Sequence, residues 1–259
     1  MNWDIYLNGL CALLAFACIG WLISLYRNNV THVDSMWSLF FVIAGFTYAS
    51  QLETLTTRSW ITLCLVSLWA IRLCAYLTWR NWGPHEDHRY AAIRKNNAPG
   101  FRFKSIYIVF GLQAILAWLI SLPILGALIS TDAINALDIA GIALVCFGLT
   151  WETVADWQLS IFKANAENKG KVLDSGLWQY SRHPNYFGEC CVWWGLFLIA
   201  LAGGAWWTIP SALLMTLLLL KVSGVSLLEK DISERRPEYT AYIRSTNPFI
   251  PGCKKGTKC

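Results

Sequence analysis

Apolar residues run through this chain in long blocks separated by short polar stretches. Seven blocks can be marked, at about 4–25, 34–50, 59–79, 104–129, 138–160, 187–202 and 206–228. A helix crosses a bilayer with about 17 to 25 apolar residues, and all but the short sixth block meet that length. Barrel strands would show period-two alternation over about 9 to 11 residues, which these blocks lack. The pattern predicts an all-α polytopic membrane protein with about seven transmembrane helices. The first block follows MNWD, which has no Lys or Arg, so it predicts a true span and not a cleaved signal peptide. No repeat, linker or low-complexity tract suggests a second domain, and 1–259 is expected to form a single integral-membrane domain.

Composition supports the same class. Mean hydropathy is +0.42, and charged residues make up 14% of the chain, well below the roughly 25% of an average soluble domain. The 15 Trp and 10 Tyr suit side chains with one wet and one apolar end at the membrane interface. Of the nine cysteines, most (Cys11, Cys18, Cys64, Cys74, Cys146, Cys190, Cys191) lie in apolar blocks, and no CxxC pair or metal-ligand spacing occurs. They are expected to pack as small hydrophobes without forming disulfides, and no metal site is expected.

Charge then orients the spans. The loops around 26–33, 80–103 and 161–186, with their flanking helix ends, and the tail after 220 hold 19 of the 21 Lys and Arg; only Arg58 and Arg72 fall elsewhere. Basic residues collect on the cytosolic side. The N-terminus is therefore expected outside and the C-terminus in the cytosol, in a bacterial inner membrane or an endoplasmic reticulum membrane.

Ionisable groups inside spans are costly and mark functional candidates. Asp34 opens the second block. Arg72 and Tyr76, four apart in WAIRLCAY, share a face of the third; Glu152 and Asp156, four apart in WETVADW, share a face of the fifth. Glu189, Lys221 and Glu229 complete the set. Pairing of Arg72 with Glu152 or Asp156 as a buried staple is the structural alternative, but carboxylates outnumber such a staple.

The string SRHPNYFGE, residues 181–189, concentrates polar chemistry ahead of an apolar block. Proline favours the first helical position, so a helix is predicted from Pro184 with His183 at the cap and Arg182 before it. Its free N–H groups, with Arg182 and His183 beside them, predict an anion site suited to phosphate. Asn185 and Glu189 project along one face, and Asn185 offers the donor and acceptor that a carboxamide or purine edge needs.

Several chemistries are excluded by counting. Four His are too few for a membrane di-iron centre, so His85 and His88 are read as a solvated loop. No GxGxxG, Walker or GxSxG string occurs. No Gly/Pro-broken helices in matching halves point to a carrier.

The block from Asp156, DxxLxxFKxNxxNKGKVLDSGLWQYSRHPNYFGE, and the ending LLEKDISERRPEYTAYIRSTNPFIP resemble the DUF1295 branch of the steroid 5α-reductase superfamily. Sterol C14 and C7 reductases and, more distantly, isoprenylcysteine carboxyl methyltransferase are relatives of that superfamily. The resemblance is strong over about 138–252 and weaker over HVDSMW, WAIRLCAYLTWR and EDHRY. It implies a seven-helix fold with NADPH bound from the cytosolic side, substrate-side helices within about 1–130 and a cofactor-binding part within about 138–252. It places Glu152, Asp156, Lys163, Tyr180 and Arg182 near the adenosine and phosphates, Asn185 and Glu189 at the nicotinamide half, and Arg72 and Tyr76 at the diphosphate or ribose. His183 joins the anion site, and Glu229, Arg235, Arg236 and Tyr239 are the closing contacts.

Where animal steroid 5α-reductases carry Q-E-L-P, this chain has V-D-S-M-W, so Asp34 takes the acid position. Trp69 stands where a Tyr would assist it, Trp37 joins the substrate wall, and Tyr90 is a further hydroxyl. The implied reaction is NADPH-dependent reduction of the C=C bond of a lipophilic enone, such as a Δ4-3-ketosteroid, by a monomer in the bilayer that has no nucleic-acid partner. In it Asp34, protonated because no cation is near, binds the developing oxyanion. The alternative is S-adenosylmethionine-dependent methyl transfer, since the RHPxYxGE string is shared.

Overall fold

The computed structural model describes residues 3–83, 85–222, 225, 229 and 238–254. All regular elements among them are helical: α1 (Trp3–Arg27), α2 (Val33–Ala49), α3 (Thr57–Arg80), α4 (His88–Asn96), α5 (Phe101–Ser105), α6 (Leu112–Ile120), α7 (Leu122–Leu128), α8 (Ala136–Ala164), α9 (Pro184–Ala202), α10 (Ile209–Leu217) and α11 (Tyr239–Ser245). Five stretches are long and apolar enough to cross a membrane: α1, α3, Phe101–Ile120, α8 and α9. Val33–Ala49 and Trp206–Lys221 are shorter apolar helices. The chain is a polytopic helical membrane protein, and its apolar helices fall where the seven blocks predicted them.

The predicted fourth span is broken. A π-helical turn over Ile106–Gly111 joins α5 to α6, and a Cβ on Gly111 would lie 2.9 Å from the Ile106 carbonyl oxygen. Only glycine lets the widened turn close on itself. After α6 the chain turns at Ser121, and Pro123 sits in the first turn of α7, where its missing N–H leaves no helical bond unmade.

The chain divides into two compact units, Met1–Ile134 with Ala200–Ser211, and Asn135–Ile199 with Ala212–Cys259. In the first, α1 buries one face through Tyr6, Gly9, Leu13, Ala17, Gly20 and Ser24, a spacing of three and four that makes one stripe. Leu7, Leu14, Ile19 and Leu22 on its other sides stay exposed, as expected of a surface solvated by lipid. Small residues in the stripe admit large partners: a Cβ on Gly9 would meet the Tyr48 ring at 2.3 Å. Tyr6 stacks on Trp118 with ring centroids 4.2 Å apart, and each donates to the other's carbonyl oxygen, at 3.1 and 2.9 Å.

Arg58, one of two basic residues off the charged layer, is 1% exposed. It donates to Ser130 Oγ at 2.8 Å and to the Asp132 and Ala133 carbonyls at 3.0 Å each. It thereby ties the start of α3 to the loop after α7.

In the second unit, glycines seven apart on each of two helices meet in reverse order. A Cβ on Gly141 would lie 2.7 Å from the Gly195 carbonyl oxygen, and one on Gly148 would lie 2.5 Å from that of Gly188. This antiparallel pairing presses α8 and α9 backbone to backbone, the small-residue contact favoured where lipid gives no hydrophobic drive for helix association.

The cysteines divide. Cys190 and Cys191 are buried, whereas Cys11, Cys18, Cys64 and Cys146 are exposed, so only part of the set packs inside the protein. Cys253 is disulfide-bonded, which corrects the expectation that none would be.

Candidate functional site

The first unit gathers its polar groups around Asp34. Asp87 starts α4 by accepting from the Arg89 N–H at 2.9 Å, and that start brings both Arg89 and Tyr90 to the first turn of α2. Arg89 Nη2 donates to Asp34 Oδ2 at 2.6 Å, and Tyr90 OH donates to Asp34 Oδ1 at 2.5 Å. Gln113 Nε2 in turn donates to the Tyr90 oxygen at 3.3 Å. The preceding loop is clamped too. Glu86 accepts from the Val30 N–H at 3.1 Å and takes two bonds from Arg94, both 2.7 Å. The Asp87 N–H donates to Thr31 Oγ1 at 2.9 Å.

This geometry brings Asp34 and Tyr90 together, a contact that the sequence did not predict. A neutral Asp34 required a site without a cation, yet Arg89 forms a direct ion pair with it. Both carboxylate oxygens of Asp34 are already engaged by donors, Oδ2 by Arg89 and Oδ1 by Tyr90. Burial pushes the Tyr90 phenol well above its ordinary value, and the Asp34 charge adds to the effect. Asp87, although burial works in the opposite direction, is held below the usual carboxylate range by its bonds with Arg89.

Trp37 packs edge-on against Phe41 at 5.3 Å, and Phe41 lies 5.7 Å from Trp69. Trp69 is 0% exposed, so here it fills the core. Arg72 and Tyr76 are both half-buried on α3, with the Arg80 guanidinium 5.6 Å from the Tyr76 ring centre.

In the second unit α9 begins at Pro184, as its sequence predicted, and the residues before it are fixed to the C-terminal segment. Arg182 grips Glu229 with Nε at 2.7 Å and Nη2 at 2.9 Å, while Nη1 donates to the carbonyls of Ile243 at 3.1 Å and Thr246 at 2.6 Å. His183 Nε2 lies 3.0 Å from Glu229 Oε1, and Tyr239 OH donates to that oxygen at 3.5 Å. Ser181 Oγ donates to the Phe249 carbonyl at 2.8 Å and accepts from the His183 N–H at 3.1 Å. Burial alone would raise the Glu229 carboxyl, but the bonds from His183 and Arg182 and the Arg182 charge outweigh it and bring it down to about 2.

The anion site expected at Arg182 and His183 is thereby corrected. Both side chains turn to Glu229, and every guanidinium nitrogen of Arg182 already has an acceptor. Their role in this arrangement is to hold the C-terminal segment.

The remaining predicted residues of this unit form a different environment. Glu152, Asp156 and Glu189 are 2%, 4% and 7% exposed. Asn185 Nδ2 donates to Asp156 Oδ1 at 3.2 Å. A carboxylate only accepts, so this bond fixes the amide orientation and leaves Asn185 Oδ1, which is buried, with no hydrogen-bond partner among the described residues. Lys163, at the end of α8, and Tyr180 are exposed. Arg235 and Arg236 lie outside the described residues. A nucleotide fits this set in part. The acid face and Asn185 Oδ1 match ribose hydroxyl, adenine amino or carboxamide N–H donors, whereas Arg182 and His183 do not match its phosphates.

Arg89 and Gln113 escaped the sequence reading as site residues. Arg89 adjoins Tyr90 in EDHRY, but nothing local marks its partner 55 positions away.

A helical, polytopic membrane protein with one polar cluster built on an acid–phenol pair and another on buried carboxylates is the class that fold and site define. The family model described as a protein of unknown function, DUF1295, matches residues 20–246, and the chain belongs to that family. It is also similar to an uncharacterized protein of Schizosaccharomyces pombe, 26% identical over 287 aligned residues that cover 96% of this chain and 80% of the relative. No solved structure matches the chain.

Proposed function

We propose that this protein is a membrane-embedded oxidoreductase of the steroid 5α-reductase type, which uses NADPH to reduce the C=C bond of a lipophilic enone such as a Δ4-3-ketosteroid. The observation that carries the proposal is the buried Asn185–Asp156 pair beside Glu152 and Glu189, with the Asn185 carbonyl oxygen left as an acceptor. A buried acceptor without a donor is costly, and a carboxamide or amino group supplies one.

NADPH, when bound, would supply hydride to the β-carbon of the enone, and a proton drawn from water would complete the reduction at the α-carbon. Asn185 would accept from the carboxamide N–H, and Asp156 fixes the Asn185 amide so that its oxygen is the atom presented. Glu152 and Glu189 suit ribose hydroxyls, and Lys163 is an exposed cation for a phosphate. The basic loops and tail would face the cytosol, where this cofactor is available.

Full-length protein in detergent, with NADPH and testosterone or progesterone, is expected to lose NADPH absorbance as the product gains two hydrogens in mass. Asn185→Ala should weaken NADPH binding by about tenfold, the loss of roughly one good hydrogen bond. Thermal stabilisation by S-adenosylmethionine and not by NADPH would overturn the proposal in favour of methyl transfer.

A further inference from the structure

The basic end of α1 meets the start of α5 in a patch apart from both polar clusters. Trp21 Nε1 donates to the Arg102 carbonyl oxygen at 3.1 Å, and Arg102 Nη2 donates to the Leu25 carbonyl oxygen at 3.4 Å. These two bonds seat Arg102 against the last turn of α1, the turn that also carries Arg27. Both arginines are exposed. Arg27 makes no hydrogen bond or ion pair among the described residues, and Arg102 uses only Nη2. The carboxylates of the adjoining loop are already taken, Glu86 by two bonds from Arg94 and Asp87 by Arg89. Asp4, the acid in the first turn of α1, lies at the opposite end of that helix. Beside the two cations stand aromatic side chains that the core does not take: Tyr26, 94% exposed, with Phe103 and Tyr107, both also exposed.

We infer that this patch binds the headgroup of an anionic phospholipid in the leaflet at the basic end of α1, with Arg27 and Arg102 on its phosphate. A guanidinium presents paired N–H donors to phosphate oxygens. Exposed aromatic residues at the end of a spanning helix lie at headgroup depth. A soluble anion would satisfy the two cations but leave the rings of Tyr26, Phe103 and Tyr107 in water, whereas the glycerol and upper acyl carbons of a lipid cover them. A zwitterionic headgroup brings its own cation to a place that already holds two, so charge complementarity selects an acidic one. The basic loops as a whole attract anionic lipid through a diffuse field; the bonds of Arg102 to Trp21 and Leu25 add a fixed position. The inference goes beyond the proposed reaction and does not depend on it.

The test titrates full-length protein in detergent with dioleoyl phosphatidylglycerol or dioleoyl phosphatidylcholine and counts bound lipid by native mass spectrometry. Phosphatidylglycerol is expected to bind at least about tenfold more tightly than phosphatidylcholine, the combined effect of two basic residues at a membrane surface. Arg27→Gln and Arg102→Gln should each weaken phosphatidylglycerol by about fivefold and leave phosphatidylcholine unchanged. Lys95→Gln, which removes an exposed cation from α4, should change neither. Glycerol phosphate at millimolar concentration should not displace the lipid. Arg102→Gln also removes a bond to α1, so if that variant fails to fold, Arg27→Gln decides, since it breaks no described contact. Equal affinity for the two lipids, a preference that survives Arg27→Gln, or an equal loss in Lys95→Gln overturns the site. Displacement of the lipid by glycerol phosphate would show a soluble-anion site and overturn the lipid as its occupant.

Discussion

Arg182 and Glu229 are joined by two parallel hydrogen bonds, 2.7 and 2.9 Å long, across 47 positions of sequence. With their side chains 7% and 16% exposed, the pair is largely out of water. Breaking such a pair from one side leaves an uncompensated charge and costs about 3 to 5 kcal/mol. Arg182→Met and Glu229→Met should each lower the unfolding temperature in detergent, and the double variant should be less damaged than the sum of the two. Additive losses in this cycle would show that the pair is not coupled.

The same contact sets an acid limit. The folded Glu229 carboxyl sits near 2, below the ordinary 4.5, so the folded state binds its proton less readily than the unfolded chain. Its stabilisation is complete above the unfolded value and falls away as pH drops from about 4.5 towards 2. Unfolding temperature measured between pH 7 and 3 should decline less in Glu229→Gln than in the natural protein.

The meeting of Gly148 with Gly188 leaves no space for a methyl group, since a Cβ on either would lie 2.5 to 2.9 Å from backbone or Cβ atoms of the facing helix. Overpacking of this kind costs about 1 to 3 kcal/mol. Gly148→Ala and Gly188→Ala are expected to destabilise the protein, whereas Ala200→Gly, away from these contacts, keeps the α8–α9 approach intact. Proteolysis rates in detergent check the order.

Asp34 anchors α4 through both Arg89 and Tyr90. Asp34→Asn removes the charge that Arg89 faces and should free the 83–100 loop, seen as faster trypsin cleavage at Arg89, Arg94 or Lys95. Arg89→Gln should do the same. Cleavage at the natural rate in both variants would mean that the Glu86–Arg94 clamp alone holds the loop.

Much of this architecture is written in the chain itself. Apolar runs of bilayer length determine helices because no other open structure satisfies its backbone in lipid, and Pro184 marks the start of α9 by stereochemistry alone. The concentration of polar groups at Asp34, Tyr90, Asn185 and Glu189 was equally visible, because ionisable residues stand out in apolar runs. Partner choice was not. Asp34 reads locally as a lone acid and Arg182 as a free cation, yet folding brings Arg89 to the first and Glu229 to the second, over separations of 55 and 47 residues. Hydropathy and helix signals act over a few turns, whereas the charge state and free valences of a polar group depend on whichever distant side chain packing delivers beside it. The sequence determined the helices and the polar positions; the tertiary structure decided which of those groups are already engaged and which buried acceptors, Gln113 Oε1 and Asn185 Oδ1, have no partner among the described residues.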